Sequence, residues 1–513
     1  MTWPSFIAAP FIVPSAATIC SAVSIWRRSS ACARSSSSRV TLAARVPSWR
    51  AAWPAVPKDH LPTSRWSRAA RVGRLAAGQA ARQLGTRAAN VTRDDEERAQ
   101  ALERRQIETA EQIVAALGTM KGAAMKLGQV MSFLDVGLVP PEHREAFQAK
   151  LAELRDAAPK VSFKDMKKVI EREYGEKLED VFETFDPVPI AAASIGQVYK
   201  ARLDDGRTVA VKVQYPGVAE AVRADMQNLG MILRLMKSVA PGLDVRAVAE
   251  EIRTRIGEEL DYELEASNQR TMARAFRGHP FIYVPDVVTS LSRERVIVSE
   301  YVTGRGFEEF KQLPEPDRDR IGEIIFRFYF GSMYRLEMFS GDPHPGNMLL
   351  LDDGRMAFLD FGLFKRLEAG AAERELRLGR LGVEGRGDDL AAELRKHGFL
   401  TRGEIPADII LQQFRDLTWW YSTDEEVQLT PAIATQVVID MSDPRSRYFE
   451  QMRHENLPAE HLFGRRLEVL TLAVLAQLRA KNNWFRIMRE WGYGDDPQTE
   501  LGRLEAEFAA ARR

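Results

Sequence analysis

The chain has 513 residues, and Lys plus Arg and Asp plus Glu each number 72, so its net charge is zero. This length exceeds what a single hydrophobic core supports and predicts a two-lobed body with appended helices. Zero net charge provides no bulk attraction to nucleic acid, so we expect no nucleic-acid partner. Both cysteines, Cys20 and Cys32, lie near the N-terminus, so we expect the remaining chain to fold without disulfides or thiolate metal ligands.

Residues 1–56 contain six arginines and no acidic residue, a composition typical of an organellar transit peptide. Pro4, Pro10 and Pro14 interrupt the amphipathic pattern that such a peptide needs, which favours an upstream extension that does not fold. No segment reaches the roughly 18 uninterrupted apolar residues of a membrane span. We expect a cytoplasmic protein that can associate with a membrane surface, or an organellar one if the extension is a true transit peptide.

Helical patterns dominate the region that follows. The apolar residues of Arg98–Val130 recur at spacings typical of one buried helix face, and Pro140 and Pro141 end that pattern. Two more helices are predicted over Glu142–Arg155 and Phe163–Glu173.

Short runs bounded by turns begin after Pro187. Ala191–Arg202 and Thr208–Gln214 flank an Asp-Asp-Gly turn and predict a β-hairpin. Two further strands are predicted at Tyr283–Pro285 and Arg295–Val302.

Helical patterns return around these strands, at Gly217–Val239, from Val245 to about Phe276, and at Arg318–Met338. The segment Asp342–Phe361 is predicted as loop and short strands, with helices from there to the C-terminus. Strands first and helices after predict an α+β fold with two lobes.

The strongest chemical signal is Asp342-Pro343-His344-Pro345-Gly346-Asn347, followed by Asp360-Phe361-Gly362. Phosphoryl transfer needs a carboxylate that orients the nucleophile and oxygen ligands that hold Mg²⁺ against the phosphates. Asp342 supplies the first group, and Asn347 and Asp360 supply the metal ligands in the order found in kinases. An isolated Asp-Phe-Gly is more often an ordinary turn, so the prediction depends on the joint spacing.

Lys212 is the one long cation in the apolar run Val209–Val213. A buried charge is costly unless it is paired, and kinases pair this lysine with nucleotide phosphates and a helix carboxylate. The alternative is an edge strand with Lys212 facing solvent. The order of the hairpin and the Asp342 motif favours a nucleotide site.

Where a kinase has a glycine-rich phosphate loop, this chain has Ala191-Ala192-Ala193-Ser194-Ile195-Gly196. This alanine-rich loop resembles the signature of the UbiB/AarF atypical kinases. The resemblance implies a protein-kinase-like fold that binds ATP and Mg²⁺, with Ala191, Ala192, Ala193, Ser194, Gly196 and Lys212 as nucleotide-binding residues. Methyl groups keep the backbone further from the phosphates than glycines would, which implies altered nucleotide handling.

Two more motifs are similar to those of the family. Lys126-Leu127-Gly128-Gln129 matches its Lys-x-Gly-Gln motif, and Lys126 and Gln129 share a helix face. Glu259-Leu260-Asp261 matches its Glu-x-Asp motif. The resemblance implies that Glu259 and Asp261 contact the Lys126 helix, which covers the site where a peptide would dock, and that Glu265 pairs with Lys212. Without it, the acidic stretch Glu258–Glu265 would be interpreted as a solvated helix face.

The sequence departs from ordinary protein kinases in two ways that bear on the phosphoryl acceptor. No Ala-Pro-Glu follows Asp360-Phe361-Gly362, and Gly341 replaces the arginine that normally precedes the catalytic aspartate. The resemblance therefore implies an ATPase, or a kinase for a small molecule or lipid, that supports isoprenoid quinone biosynthesis at a membrane surface. The alternatives are a catalytically silent nucleotide-binding regulator and a phosphotransferase for a soluble metabolite or antibiotic.

These patterns divide the chain into five predicted segments. The segments are a non-folding or targeting-like extension (1–60), an N-terminal helical extension (61–185), a kinase-like N-lobe with inserted helices (186–305), a kinase-like C-lobe with the catalytic and metal loops (306–400), and a C-terminal helical region (401–513). The aromatic residues of this last segment, including Trp419, Trp420, Trp484 and Trp491, are predicted to be core rather than part of a ligand site.

Overall fold

A computed structural model describes residues 161–226, 245–400, 404–442, 448, 458 and 461–512. These residues belong to one compact unit. The first predicted segment, the Lys126–Gln129 motif and the predicted helices at 98–130 and 142–155 lie outside the described residues. The division into five segments stays a prediction.

Helices and strands alternate first and helices dominate later. The described helices are α1 Phe163–Tyr174, α2 Leu178–Val181, α3 Val218–Met226, α4 Val245–Glu259, α5 Tyr262–Ala275, α6 Phe307–Phe310, α7 Glu315–Leu336, α8 Ala371–Val383, α9 Gly387–Lys396, α10 Ala407–Ser422, α11 Pro431–Ser442, α12 Leu462–Leu478, α13 Trp484–Gly492 and α14 Glu500–Ala510. The described strands are β1 Thr184–Phe185, β2 Ala191–Ala193, β3 Gly196–Arg202, β4 Thr208–Gln214, β5 Ile282–Tyr283, β6 Val296–Glu300, β7 Met338–Ser340, β8 Met348–Leu350, β9 Met356–Phe358, β10 Phe364–Arg366, β11 Val427–Gln428 and β12 Lys481–Asn482. This order confirms the predicted α+β, kinase-like fold with two lobes.

The N-terminal lobe is built on an antiparallel sheet in the order β1-β3-β4-β6, with β2 also paired to β3. Alternating valines point one face of β4 toward α1, whose buried residues Met166, Val169 and Ile170 recur at helical spacing. Gly175, at φ 72°, ends α1 in the left-handed conformation that glycine adopts without strain. The predicted helix and hairpin in this lobe are confirmed.

The C-terminal lobe surrounds α7, a helix of 22 residues that is buried along most of its length. Arg327 of α7 is fully buried and donates to Glu323 at 2.7 Å, to Glu490 of α13 at 2.8 Å and to Glu505 of α14 at 2.9 Å. Such a charge is tolerated in a core because several carboxylates share it. The network therefore holds α13 and α14 against the centre of the lobe.

The buried aromatic residues of the same lobe agree with the prediction of core tryptophans. Trp420 and Trp484 are buried, and the Trp484 ring packs on Phe326 with ring centroids 5.1 Å apart. Trp419 and Trp491 are only partly buried. Because other aromatic side chains pack against Trp420 and Trp484, these two residues belong to the hydrophobic core.

Three predicted boundaries were wrong. Ala191–Arg202 is two strands, β2 and β3, that turn at Ser194-Ile195, because Ala191–Ala193 folds back and pairs with Gly196–Val198. The helix predicted from Val245 to Phe276 breaks at Leu260-Asp261, where Asp261 caps a new helix. The chain after Gly362 first forms β10, which pairs with the unpredicted strand β7, before α8 begins.

Candidate active site

Lys212 lies on β4, which runs between β3 and β6 and is therefore not an edge strand. Its Nζ is 2.7 Å from Glu265 Oε1 and 3.3 Å from Asp360 Oδ2, and 18 % of its side chain is exposed. Burial alone would lower the pKa of Lys212, but the charges of Asp360 and Glu265 raise it well above its ordinary value. Lys212 is thus a charged ammonium that joins strand β4 to two carboxylates.

Glu265 lies in the first turn of α5 and is almost completely buried. The position of that turn is set by Asp261, whose carboxylate accepts hydrogen bonds from the backbone N–H groups of Glu263 at 2.9 Å and Leu264 at 3.1 Å. This is the N-cap interaction that starts a helix. Asp261 therefore caps α5 rather than lying on its face, as a continuous helix would have required.

The other end of α5 is held from a distant part of the chain. The guanidinium of Arg512, just after α14, donates to the carbonyl oxygens of Arg274 at 2.9 Å and Ala275 at 2.8 Å. These carbonyls lie at the C-terminal end of the helix, where a cation is favourable. The helix that carries Glu265 is capped by an aspartate at its start and an arginine at its end.

Asp360 follows β9 and faces Lys212 with one carboxylate oxygen. Its other oxygen, Oδ1, accepts a hydrogen bond from the Gly362 N–H at 2.9 Å, and its carbonyl accepts one from Ser340 Oγ at 3.1 Å. An added Cβ at Gly362 would lie 3.4 Å from Asp360 Oδ1 and 3.4 Å from Glu265 Oε2. The absence of a side chain at Gly362 thus leaves room for the carboxylates of Asp360 and Glu265. The side chain of Asp360 is 30 % exposed.

Glu259, the last residue of α4, also lies beside this glycine. It is 4 % exposed, and its Cγ would be 3.7 Å from a Cβ at Gly362. The interpretation of Glu258–Glu265 as a solvated helix face is wrong for Glu259 and Glu265, since both are buried at the candidate site.

Asp342 and Asn347 lie in the loop after β7. The side-chain amide of Asn347 donates to the backbone carbonyl of Asp342 at 3.5 Å. The backbone carbonyl of Asn347 accepts from the N–H of Leu359, next to Asp360, at 3.0 Å. Burial, followed by the charges of Asp342 and Asp360, raises the pKa of Tyr329 well above its ordinary value. The charges of both carboxylates therefore act on the same buried tyrosine of α7.

Arg466 of α12 is a residue of this site that the sequence motifs do not contain. Its Nη2 donates to Asp342 Oδ1 at 2.6 Å, its Nε donates to the Gly341 carbonyl at 3.0 Å, and 4 % of its side chain is exposed. Gly341 is the position where kinases carry an arginine, and here an arginine reaches the same loop from 124 residues away. The sequence signal is a pair of arginines in a mostly apolar helix.

The alanine-rich segment lies on the same sheet as Lys212. Ala191 pairs with Val198, which pairs with Lys212, so the three residues form one row across β2, β3 and β4. Ala192 is exposed, and Ser194 lies at the tip of the hairpin. Gly196 is packed so closely that an added Cβ would lie 2.1 Å from the Val213 carbonyl oxygen.

The ABC1 atypical kinase-like domain model matches residues 153–378. The atypical kinase COQ8B, mitochondrial, of Rattus norvegicus is 31% identical over 299 residues, which cover 58% of this chain and 56% of that protein. The atypical kinase coq-8, mitochondrial, of Caenorhabditis elegans is 32% identical over 297 residues, which cover 57% of this chain and 39% of that protein. The chain thus spans about half the length, or less, of these curated relatives.

A solved structure is also similar to this chain. The complex of Rv3197 with erythromycin from Mycobacterium tuberculosis has a TM-score of 0.56 and 33% sequence identity, and the match covers 78% of this chain and 99% of that one. The motifs, the fold and these similarities agree. The chain belongs to the ABC1 family of atypical kinases, the UbiB/AarF group that its motifs resemble.

Proposed function

We propose that the chain binds Mg²⁺-ATP and acts as an ATPase, or as a kinase for a small molecule or a lipid. The observation that supports this most strongly is the contact of Lys212 with both Glu265 and Asp360. Residues from β4, α5 and the loop after β9 meet there, which is the arrangement that a kinase uses to hold nucleotide phosphates and metal.

The residues present fit the proposed ligands. Asp360 and Asn347 offer the hard oxygen donors that Mg²⁺ prefers, and the carboxylate of Asp360 is partly exposed. Mg²⁺ bound to them would neutralise charge on the phosphates. Lys212, kept charged by its carboxylate partners, would bind phosphate oxygens, and backbone N–H groups near Ala191–Ser194 and Gly196 would lie over them.

Asp342 is proposed to orient the attacking hydroxyl or water. Arg466 holds its Oδ1, so Oδ2 is the oxygen that can accept the nucleophile's hydrogen bond. Lys212 contacts Asp360 at a longer distance than Glu265, 3.3 Å against 2.7 Å. We therefore expect the contact with Asp360 to be the one that Lys212 exchanges for phosphate.

A protein acceptor is disfavoured by the chain that follows the metal loop. Only residues 367–370 separate β10 from α8, whereas protein kinases use a longer activation segment there to bind a peptide. The proposed cover formed by Lys126, Gln129, Glu259 and Asp261 would also keep a peptide from docking at the site. Small molecules and lipids with a hydroxyl group are the acceptors that this geometry favours.

The test is phosphate release from Mg²⁺-ATP by the full chain. Asp360→Asn is expected to abolish release, because the amide cannot replace the carboxylate as a metal ligand. Asp352→Asn, an exposed residue of the turn between β8 and β9, is the matched control and should retain activity. Equal release by wild type and Asp360→Asn would contradict the site assignment.

A nucleotide-binding regulator without catalytic activity is the second candidate. It is favoured by the fact that Lys212 already contacts Asp360, the proposed metal ligand. A regulator would show thermal stabilisation by nucleotide and no phosphate release under any condition. Release that depends on Asp360 would exclude it.

The proposed biological setting is isoprenoid quinone biosynthesis at a membrane surface, in the cytoplasm or in an organelle. The two curated relatives named above are mitochondrial proteins by name, which supports the organellar alternative. Within the described part of the chain, no helix is both long and apolar enough to cross a membrane. Phosphate release with and without anionic liposomes tests the proposed surface association, and erythromycin is a second compound to test as ligand or acceptor.

A further inference from the structure

A cavity lies apart from the Lys212 site, between β10, α8 and α12. Its volume is about 230 Å³, and five cationic side chains line it: Arg255, Lys365, Arg366, Arg374 and Arg465. Sites for drug-sized ligands usually measure about 300–1,000 Å³. This cavity is therefore sized for a compact polar group rather than for a whole nucleotide.

Three of these cations are paired with carboxylates. Arg465 is 3.3 Å from Glu375 and 2.8 Å from Glu468. Lys365 is 2.6 Å from Glu251, and Arg255 is 3.1 Å from the same carboxylate. Because their charges are balanced by these carboxylates, the three cations would attract an anion only weakly.

Arg366 and Arg374 differ from these three. Arg366 donates to neutral acceptors, Thr271 Oγ1 at 3.4 Å and Asn268 Oδ1 at 3.5 Å. Within the described part of the chain, neither Arg366 nor Arg374 has a carboxylate oxygen within 4.0 Å. Two guanidinium groups on one cavity offer parallel N–H donors in the geometry that matches phosphate oxygens.

Three acidic residues also line the cavity. Glu368 is exposed, as Arg366 is. Glu375 and Glu468 contact Arg465, and the charge of Arg374 also lowers the pKa of Glu375. Among the described residues, Arg366 and Arg374 are the two cations of the cavity that have no carboxylate oxygen within 4.0 Å.

We propose that this cavity is an anion site that takes a phosphate monoester, with Arg366 and Arg374 as its binding residues. Arg366 ends β10, four residues after Gly362, and β10 pairs with β7, which leads into the Asp342 loop. An occupant would thus lie one strand away from the candidate active site without being part of it. The proposal does not depend on nucleotide binding or catalysis.

The experiment measures binding of sn-glycerol 3-phosphate to the full chain by titration calorimetry. Arg366→Ala with Arg374→Ala is expected to weaken binding at least about tenfold, equivalent to about 1.4 kcal/mol. The same substitution at Arg377, on α8 but paired with Glu393 and outside the cavity, should leave binding unchanged. Arg366→Lys with Arg374→Lys keeps the charge and should retain part of the affinity, which separates binding loss from misfolding.

Two further arms define the ligand. Asp360→Asn should bind glycerol phosphate as wild type does, because that residue belongs to the other site. A second measurement tests whether the phosphate comes from a lipid headgroup. It compares binding to vesicles of phosphatidylcholine with phosphatidic acid and to vesicles of phosphatidylcholine alone. Binding to the phosphatidic acid vesicles that needs both arginines would support the site with a lipid source. Absence of binding to both probes, or equal binding by wild type and the double alanine variant, would overturn the proposal.

Discussion

Arg466 donates a hydrogen bond of 2.6 Å to Asp342, the residue proposed to orient the nucleophile, from a helix 124 residues further along the chain. The contact places a fixed cation on one oxygen of the carboxylate and directs the other toward the site. In an ordinary kinase, the arginine that precedes the catalytic aspartate lies in this loop. In this chain, an arginine from the C-terminal region contacts the loop instead.

Arg466→Met is expected to lower turnover about 100-fold, because a displaced Asp342 no longer aligns the acceptor. Stability should fall by roughly 3 kcal/mol, since a carboxylate that is 14 % exposed loses its buried cation. Nucleotide affinity should change little. Phosphate release, nucleotide titration and chemical unfolding measure the three quantities.

The double variant Arg466→Met with Asp342→Asn tests the source of the stability loss. It removes the unpaired charge and should recover most of the stability, while turnover stays low because the carboxylate of Asp342 is absent. Turnover in this double variant would contradict the role proposed for Asp342.

Gly196→Ala is expected to destabilise the N-terminal lobe by several kcal/mol, since its Cβ would overlap the Val213 carbonyl at 2.1 Å. Gly257→Ala is the matched control, because nothing lies within 4 Å of its added Cβ and alanine favours the helix. Thermal unfolding compares the two variants. A normal midpoint for Gly196→Ala would contradict the close packing of β3 on β4.

Ala192→Gly is expected to act on nucleotide binding more than on stability. Ala192 is exposed on β2, so glycine should cost no more than about 1 kcal/mol of folding free energy. The absent methyl group lets the backbone approach the phosphates, and we expect nucleotide to bind roughly tenfold more tightly, or by about 1.4 kcal/mol. Unchanged nucleotide affinity would count against the placement of the phosphate loop at this hairpin.

His279 is predicted to make folding sensitive to acid. Burial, followed by the charges of Arg335, Arg327 and Arg512, lowers the pKa of His279 to about 3 from an ordinary value of 6.5. The unfolded chain therefore takes up a proton before the folded one, and the stability present above pH 6.5 is lost as pH falls toward 3. The free energy of unfolding should decrease by about 1.4 kcal/mol per pH unit in that range from this group alone.

Chemical unfolding at pH 7, 6 and 5 checks this slope in His279→Asn, whose side-chain oxygen can still accept from the Ile282 N–H as Nδ1 does at 3.1 Å. The variant should be less stable at pH 7, because it loses ring contacts with Phe281 and Phe508, but it should depend less on pH. His397→Asn, on a more exposed residue, is the control. An identical slope in wild type and His279→Asn would show that other groups control acid stability.

Local signals in the sequence were sufficient for much of this architecture. The hairpin around Lys212 and the order of the Asp342 and Asp360 motifs depend on turn residues and alternation within about twenty residues, so they were predicted. The break at Asp261 also had a local signal, an aspartate followed by two acidic residues in the first helical turn, but the apolar pattern continued through it.

Other features depend on contacts that no local pattern encodes. Strands β7 and β10 are three residues each and exist because they pair with each other. Arg466 acts on a loop that is distant in sequence, and burial of Glu259 and Glu265 follows from packing around Gly362. The roles assigned to the Lys126 and Gln129 motif, and to the individual metal and nucleotide ligands, stay predictions.

The contact of Arg512 with the end of α5 has a consequence for the order in which the protein matures. Arg512 lies 238 residues after Arg274, so a ribosome must synthesise most of the C-terminal lobe before this cap can form. Until then the helix that carries Glu265, a partner of Lys212, lacks one of its two anchors. A nascent chain would therefore complete the candidate site late, after the strands of its N-terminal lobe have already paired.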